Sequence, residues 1–186
     1  QFPPLNLNHK EILPLDDIAF EMFDGFGAKA ANLATMRTFG FADGTIPDGF
    51  GIPFYFYQEF MKHNHFFEQI ESMLQDSAFI ADRTVRDTQL EELRDNIEDA
   101  AMPVWMLDSL AEMQNSFPSG TSIRSRSSTN NEDLPGFSGA GLYDSKTHHP
   151  NEGHISKTIK EVYASLWNLR AFEEREFYRV NHLLAS

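Results

Sequence analysis

Two arginines stand two residues apart, Arg124 and Arg126, at the head of a segment reading Ser-Ser-Thr-Asn-Asn-Glu-Asp-Leu-Pro-Gly-Phe-Ser-Gly over residues 127–139. On an extended strand that spacing sends both side chains to one face. Each guanidinium is a rigid fork of N–H donors suited to a phosphate or a carboxylate. Ser127, Ser128 and Thr129 add hydroxyls, and Gly139 allows a close approach of backbone. Such a set of donors suits phosphate oxygens. The competing reading is a decorated turn in which both arginines pair with Glu132 and Asp133, and the local sequence leaves the two open.

A second cation carries the same implication. Lys29 follows Asp24-Gly25-Phe26-Gly27-Ala28 and precedes an alanine-rich run, so it falls in the first turn of a predicted helix over residues 28–37. Free N–H groups and the helix dipole favour an anion at that end and mildly disfavour a lysine. A bound phosphate would remove the conflict, whereas the plainer reading is a surface lysine. The segment is not a Walker A loop, since Gly-x-x-x-x-Gly-Lys-Ser/Thr does not occur. His63, His65, His148 and His149 lack further ligands at a recognisable metal spacing and read as surface histidines. The 28 acidic residues offer too many pairs for any spacing to single out a catalytic dyad. Phe54-Tyr55-Phe56-Tyr57 with Phe60 reads as core.

The elements that must position these groups follow from the pattern. Residues 1–14 form an extended lead-in with three prolines. Pro53 opens an aromatic helix over residues 53–62, and residues 66–117 read as helical, with Leu90, Leu93 and Ile97 as a buried stripe. Pro103 restarts that run, and Pro118-Ser119-Gly120 ends it. Residues 121–126 read as a strand, and residues 141–144 as its return. Ile155, Ile159, Val162, Leu166 and Leu169 define an amphipathic helix. A continuation over residues 171–184 carries the cluster Glu173-Glu174-Arg175-Glu176 on its exposed side. The fold class is therefore α+β, helix-rich with few strands.

Seventeen Phe and 41% hydrophobic residues are ample for a core. A formal charge of −13 argues against a broad nucleic-acid surface, which needs many cationic phosphate contacts, and against an anionic membrane. It does not oppose a local anion site. There are no cysteines, so disulfides and cysteine zinc sites are excluded. No run of 18 apolar residues and no signal pattern occur, and a cytoplasmic location is expected. The chain opens on Gln1 and reads as a piece of something longer.

A resemblance joins the two cations. Gly27-Ala28-Lys29-Ala30-Ala31-Asn32-Leu33 resembles the Gly-Gly-Lys-x-x-x-Leu segment of the phosphoenolpyruvate synthase and pyruvate phosphate dikinase family. Ile46-Pro47-Asp48-Gly49-Phe50 is similar to its Val/Ile-Pro-x-Gly-Phe. Residues 126–135 resemble its Arg-Ser-Ser-x-x-x-Glu-Asp-Leu-Pro, with Phe137-Ser138-Gly139 like the Phe-Ala-Gly beyond. Residues 162–171 are similar to its Val-Phe-Ala-Ser-Leu-Phe-Asn-x-Arg-Ala helix. Five blocks lie in the family's order.

The resemblance implies the first subdomain of an ATP-grasp-like nucleotide-binding domain, with residues 1–186 a single partial domain. It implies that Lys29 and Arg126 bind the phosphates of ATP, with Gly27, Ser127, Ser128, Thr129 and Gly139 as a supporting loop. It further implies phosphoryl transfer to a histidine on a swivelling domain, then to pyruvate or another acceptor on a third domain. The Mg²⁺ ligands of the family, a Glu and a Gln, would lie beyond Ser186, so no metal site is expected in this chain, and alone it would be inactive. Two departures stand out. Ala28 replaces the family's second glycine, and Arg124 replaces a small or apolar residue. The alternative is a non-catalytic module binding a nucleotide, another anion or a protein.

Overall fold

The computed structural model describes residues 1–132, 134–139 and 141–186. The lead-in is extended and ends in Leu13–Pro14 (β1), paired antiparallel with Phe50–Gly51 (β2). Between them lie Phe23–Phe26 (α1) and Ala28–Arg37 (α2), the latter with the bounds predicted. Phe54–His63 (α3) follows Pro53, whose φ of −71° suits the entry to a helix. Phe54, Phe56, Tyr57 and Phe60 are all buried, as the core reading of this segment expects.

The long helical run is four helices: Phe66–Gln75 (α4), Ser77–Ala81 (α5), Arg83–Asp99 (α6) and Val104–Asn115 (α7). Two aspartates make the first two breaks, and Pro103 stands at the third. The Asp76 carboxylate accepts from the Ala78 N–H, and that of Asp82 accepts from the N–H groups of Thr84 and Val85. Each satisfies donors that a new helix would otherwise leave bare. Leu90, Leu93 and Ile97 are fully buried on α6.

Ile123–Arg126 (β3) is a strand, but its partner is Ser145–His148 (β4), not residues 141–144. Gly141, at φ +75°, turns the chain there, and Leu142 and Tyr143 go into the core. The register pairs Arg124 with Thr147 and Arg126 with Ser145. His148, read from sequence as a surface residue, is buried; its ring contacts the Thr158 hydroxyl at 2.6 Å and the Gly153 carbonyl at 2.9 Å. The last helical stretch is broken as well. Ser156–Ser165 (α8) ends before Asn168, which caps Leu169–Phe177 (α9) by accepting from the Ala171 N–H. The chain leaves α9 through Arg179, at φ +54°. The outcome is α+β and helix-rich, with two small antiparallel sheets among the described residues.

Arg175 departs most from its expectation. It is fully buried, not exposed. Its Nε–H donates to Nδ1 of His182 at 3.1 Å, one Nη donates to the Tyr143 hydroxyl at 3.3 Å, and the guanidinium lies over the Trp167 ring. Tyr143 donates in turn to Asn131. His182 is stacked on Phe172 and meets Glu176 through Nε2 at 2.6 Å. This polar chain ties α9 to the segment that follows β3. Because Nδ1 accepts from Arg175, the imidazole is neutral with its proton on Nε2.

Burial holds the His182 pKa below its ordinary value of 6.5, with the Arg175 charge adding to it and the Glu176 hydrogen bond opposing it. Glu176 is held below its ordinary 4.5, chiefly by the hydrogen bond with His182. In both cases the unfolded chain binds the proton more readily, so stability falls as pH drops. The loss attributable to His182 starts near 6.5 and that of Glu176 near 4.5. Urea unfolding between pH 7 and pH 5 is expected to show declining stability. His182→Gln should flatten that slope, and an unchanged slope would assign it to other groups.

Candidate functional site

The apolar residues form two clusters. A small one holds Leu15, Ile18, Phe26 and Ala34. The large one spans α3 to α9. A cleft of about 510 Å³ lies along their seam, walled by residues of both, among them Phe26, Leu33, Tyr57 and Tyr163. Lys29, Arg124 and Arg126 also line it. Lys29 comes from α2, on the side of the small cluster, and the two arginines from β3.

One hydroxyl joins the two sides. Ser128 Oγ donates to the Phe26 carbonyl at 2.8 Å and accepts from the Ala30 N–H at 3.0 Å. It thus caps a helix that starts 100 residues earlier and whose own N-cap residue, Gly27, has no side chain to offer. The approach is close because Gly27 is glycine. A Cβ there would lie 2.6 Å from the Ser128 carbonyl carbon and oxygen. Gly139 plays a similar part against Glu132, whose Cα would be 2.8 Å from an added Cβ.

The predicted site residues sort as follows. Lys29 is exposed, with Nζ 3.3 Å from Glu132 Oε1. Among the described residues the ion pair of Glu132 is with the lysine; Asp133, the other acid of the decorated-turn reading, lies outside the described residues. Arg126 is exposed, and its side chain forms no ion pair among the described residues. Ser127 and Thr129 are buried, and Thr129 Oγ1 has no hydrogen-bond partner among them. Ser128 is committed to the helix cap. Ala28 is the first residue of α2, so its methyl imposes no backbone strain. Among the described residues no three His, Asp or Glu side chains gather as a metal site, and no helix is long and apolar enough to cross a membrane.

The neighbouring Asn130 and Asn131 are structural. Asn130 Nδ2 donates to the carbonyls of Pro4 and Leu184, and its Oδ1 accepts from the Ser186 N–H. Asn131 is fully buried in the Arg175 chain. The sequence marks Ser128 only as a hydroxyl of the supporting loop, not as a helix cap, and Arg175 only as part of an exposed charged cluster. Ser128 gives no local signal, because both its partners are remote. Arg175 did give one: it follows Ala171 by four residues and Phe172 by three, on the buried stripe of α9.

The arrangement defines a class: a helix-rich α+β domain with a largely apolar cleft that is also lined by a lysine at a helix start and two arginines on a strand. Such a cleft can accept a ligand with an apolar body and an anionic end. Comparison with known proteins then gives the family. Residues 24–185 match the family described as "Pyruvate phosphate dikinase, AMP/ATP-binding domain", and the chain belongs to it. It is 28% identical over 157 residues to the phosphoenolpyruvate synthase of Deinococcus radiodurans, covering 84% of this chain and 20% of that protein. It is 29% identical over 176 residues to a probable phosphoenolpyruvate synthase of Staphylothermus marinus, covering 91% and 20%. The Aeropyrum pernix phosphoenolpyruvate synthase is 24% identical over 181 residues, covering 95% and 22%. The chain spans about a fifth of the length of these curated relatives.

Proposed function

We propose that this chain is the nucleotide-holding part of an ATP-dependent phosphotransferase of the phosphoenolpyruvate synthase kind. Lys29 and Arg126 hold the ATP phosphates. The observation that carries this reading is Ser128. It fixes the start of α2, with Lys29, to the end of β3, with Arg126, at one cleft. Arg126 has no ion-pair partner among the described residues. In the Lys29–Glu132 pair the lysine is half exposed while the carboxylate is only 11% exposed, so the ammonium can meet a phosphate on its solvent side while it keeps Glu132. The apolar walls suit a purine base.

Phosphoryl transfer depends mainly on positioning and on neutralising charge with a metal. In this reading the metal enters with the nucleotide, and its protein ligands belong to the other half of the ATP-grasp domain; among the described residues no three His, Asp or Glu side chains gather as a metal site. The phosphoryl group passes to a histidine on a swivelling domain and then to pyruvate or a related acceptor in the cytoplasm. Residues 1–186 act as a single partial domain in that cycle and are inactive alone.

Titration calorimetry of Mg-ATP with the full natural protein tests the site. Lys29→Ala and Arg126→Ala should each weaken binding by about 1.5–3 kcal/mol, as charge-assisted hydrogen bonds do. Unchanged affinity in both variants would sink the assignment and favour a non-catalytic interaction module.

A further inference from the structure

We propose that Arg124 is a second phosphate-binding arginine, so that the cleft distinguishes nucleotides by the length of the phosphate tail. The inference rests on the reading of the cleft as a nucleotide site and extends it along β3.

The ladder supplies the geometry. Arg124 and Arg126 alternate with half-buried Ile123 and Ser125, so both guanidiniums leave the same face of the strand. Directly opposite on β4 stand Thr147 and Ser145. Along the two strands that face presents two arginines and two hydroxyls and, among the described residues, no carboxylate, in a chain whose formal charge is −13. The acid nearest to it in sequence, Asp144, is 4.0 Å from Lys146 instead. Like charges so placed repel unless an anion lies between them.

Arg124 is oriented without being neutralised. One Nη donates to Thr147 Oγ1 at 2.8 Å, and the side chain makes no ion pair among the described residues. A guanidinium has five N–H donors, so one neutral anchor fixes the fork and leaves most donors for a ligand. Residues i and i+2 of a strand are about 6.5–7 Å apart. That exceeds what one bidentate phosphate contact spans, and it suits neighbouring phosphates of one tail. Lys29 and Arg126 line the same cleft, so the three cations form one extended anion site.

The test compares Mg-ATP and AMP by titration calorimetry in the full natural protein. Arg124→Ala should weaken Mg-ATP binding about ten-fold, the effect of one charge-assisted hydrogen bond, and leave AMP binding unchanged. Arg124→Lys, which keeps the charge and loses the fork, should recover part of the affinity; it also serves if the alanine variant fails to fold. Unchanged Mg-ATP affinity in both Arg124 variants, with Arg126→Ala still weakened, overturns the inference and leaves the nucleotide reading standing. Equal weakening of Mg-ATP and AMP overturns it too, because Arg124 would then act away from the tail. Mg-ATP affinity unchanged in Lys29→Ala and Arg126→Ala as well would remove the nucleotide reading itself.

Discussion

Gly27→Ala is expected to cost about 3 kcal/mol or more of folding stability, combining backbone strain with overpacking. Gly27 sits at φ 87° and ψ 151°, a region open essentially to glycine alone. An added methyl would also run into the hydroxyl, carbonyl carbon and carbonyl oxygen of Ser128. Ser128 cannot retreat without losing both the Ala30 and Phe26 hydrogen bonds. For a chain of this size the melting temperature should fall by about 6–12 °C. Nucleotide affinity should fall with it, because the start of α2 and the end of β3 would separate. Gly40→Ala is the control. Gly40 also has positive φ, at +70°, but an added Cβ there meets nothing within 4 Å. It should cost only the strain, about 1 kcal/mol at the low end of the range. If the two variants melt together, close packing against Ser128 is not what holds the site.

Arg175→Ala is expected to destabilise by a similar amount, about 3–5 kcal/mol, the usual result of breaking a buried charged network. The change opens a cavity beside Trp167. It also strips His182 Nδ1 of its donor and the Tyr143 hydroxyl of one partner. One Nη of Arg175 is itself without a partner among the described residues, so the native arrangement already carries a desolvation cost. Arg175→Met fills the volume and removes that cost. It should therefore lose roughly half as much, since apolar replacements of buried ions are often well tolerated. Chemical denaturation of the two variants separates the contributions. Equal losses would mean that the charge, not the packing, holds α9 in place.

Much of this was legible in the sequence. The bounds of α2, the burial of Leu90, Leu93 and Ile97, and the common face of Arg124 and Arg126 all follow from spacing. The errors have physical causes. Residues 141–144 carry the alternating apolar look of a strand, yet Gly141 turns the chain and sends Leu142 and Tyr143 inward, so pairing begins at Ser145. Arg175 was read as exposed because its charge and three acidic neighbours outweighed its position on the stripe with Ala171 and Phe172. His148 looked like its neighbour His149, but the last residue of β4 turns inward while His149, just past the strand, is exposed. In the site, Lys29 and Arg126 were visible as cations in unusual settings. The device joining them was not, since nothing near Ser128 in sequence marks it as the cap of a remote helix.

That remote cap also sets an order of events while the chain is being made. Ser128 follows Ala30 by 98 residues. At about 5–20 residues per second of synthesis, the start of α2 emerges roughly 5–20 s before the hydroxyl that completes it. Asn130 waits in its turn, because its partners Leu184 and Ser186 follow it by 54 and 56 residues. The helix start beside Lys29 therefore emerges well before the hydroxyl that finishes it. A nascent chain paused before Ser128 holds both sides of the small apolar cluster but has no closed cleft. Any ligand that bridges the cleft can select the joined arrangement only once Ser128 is out.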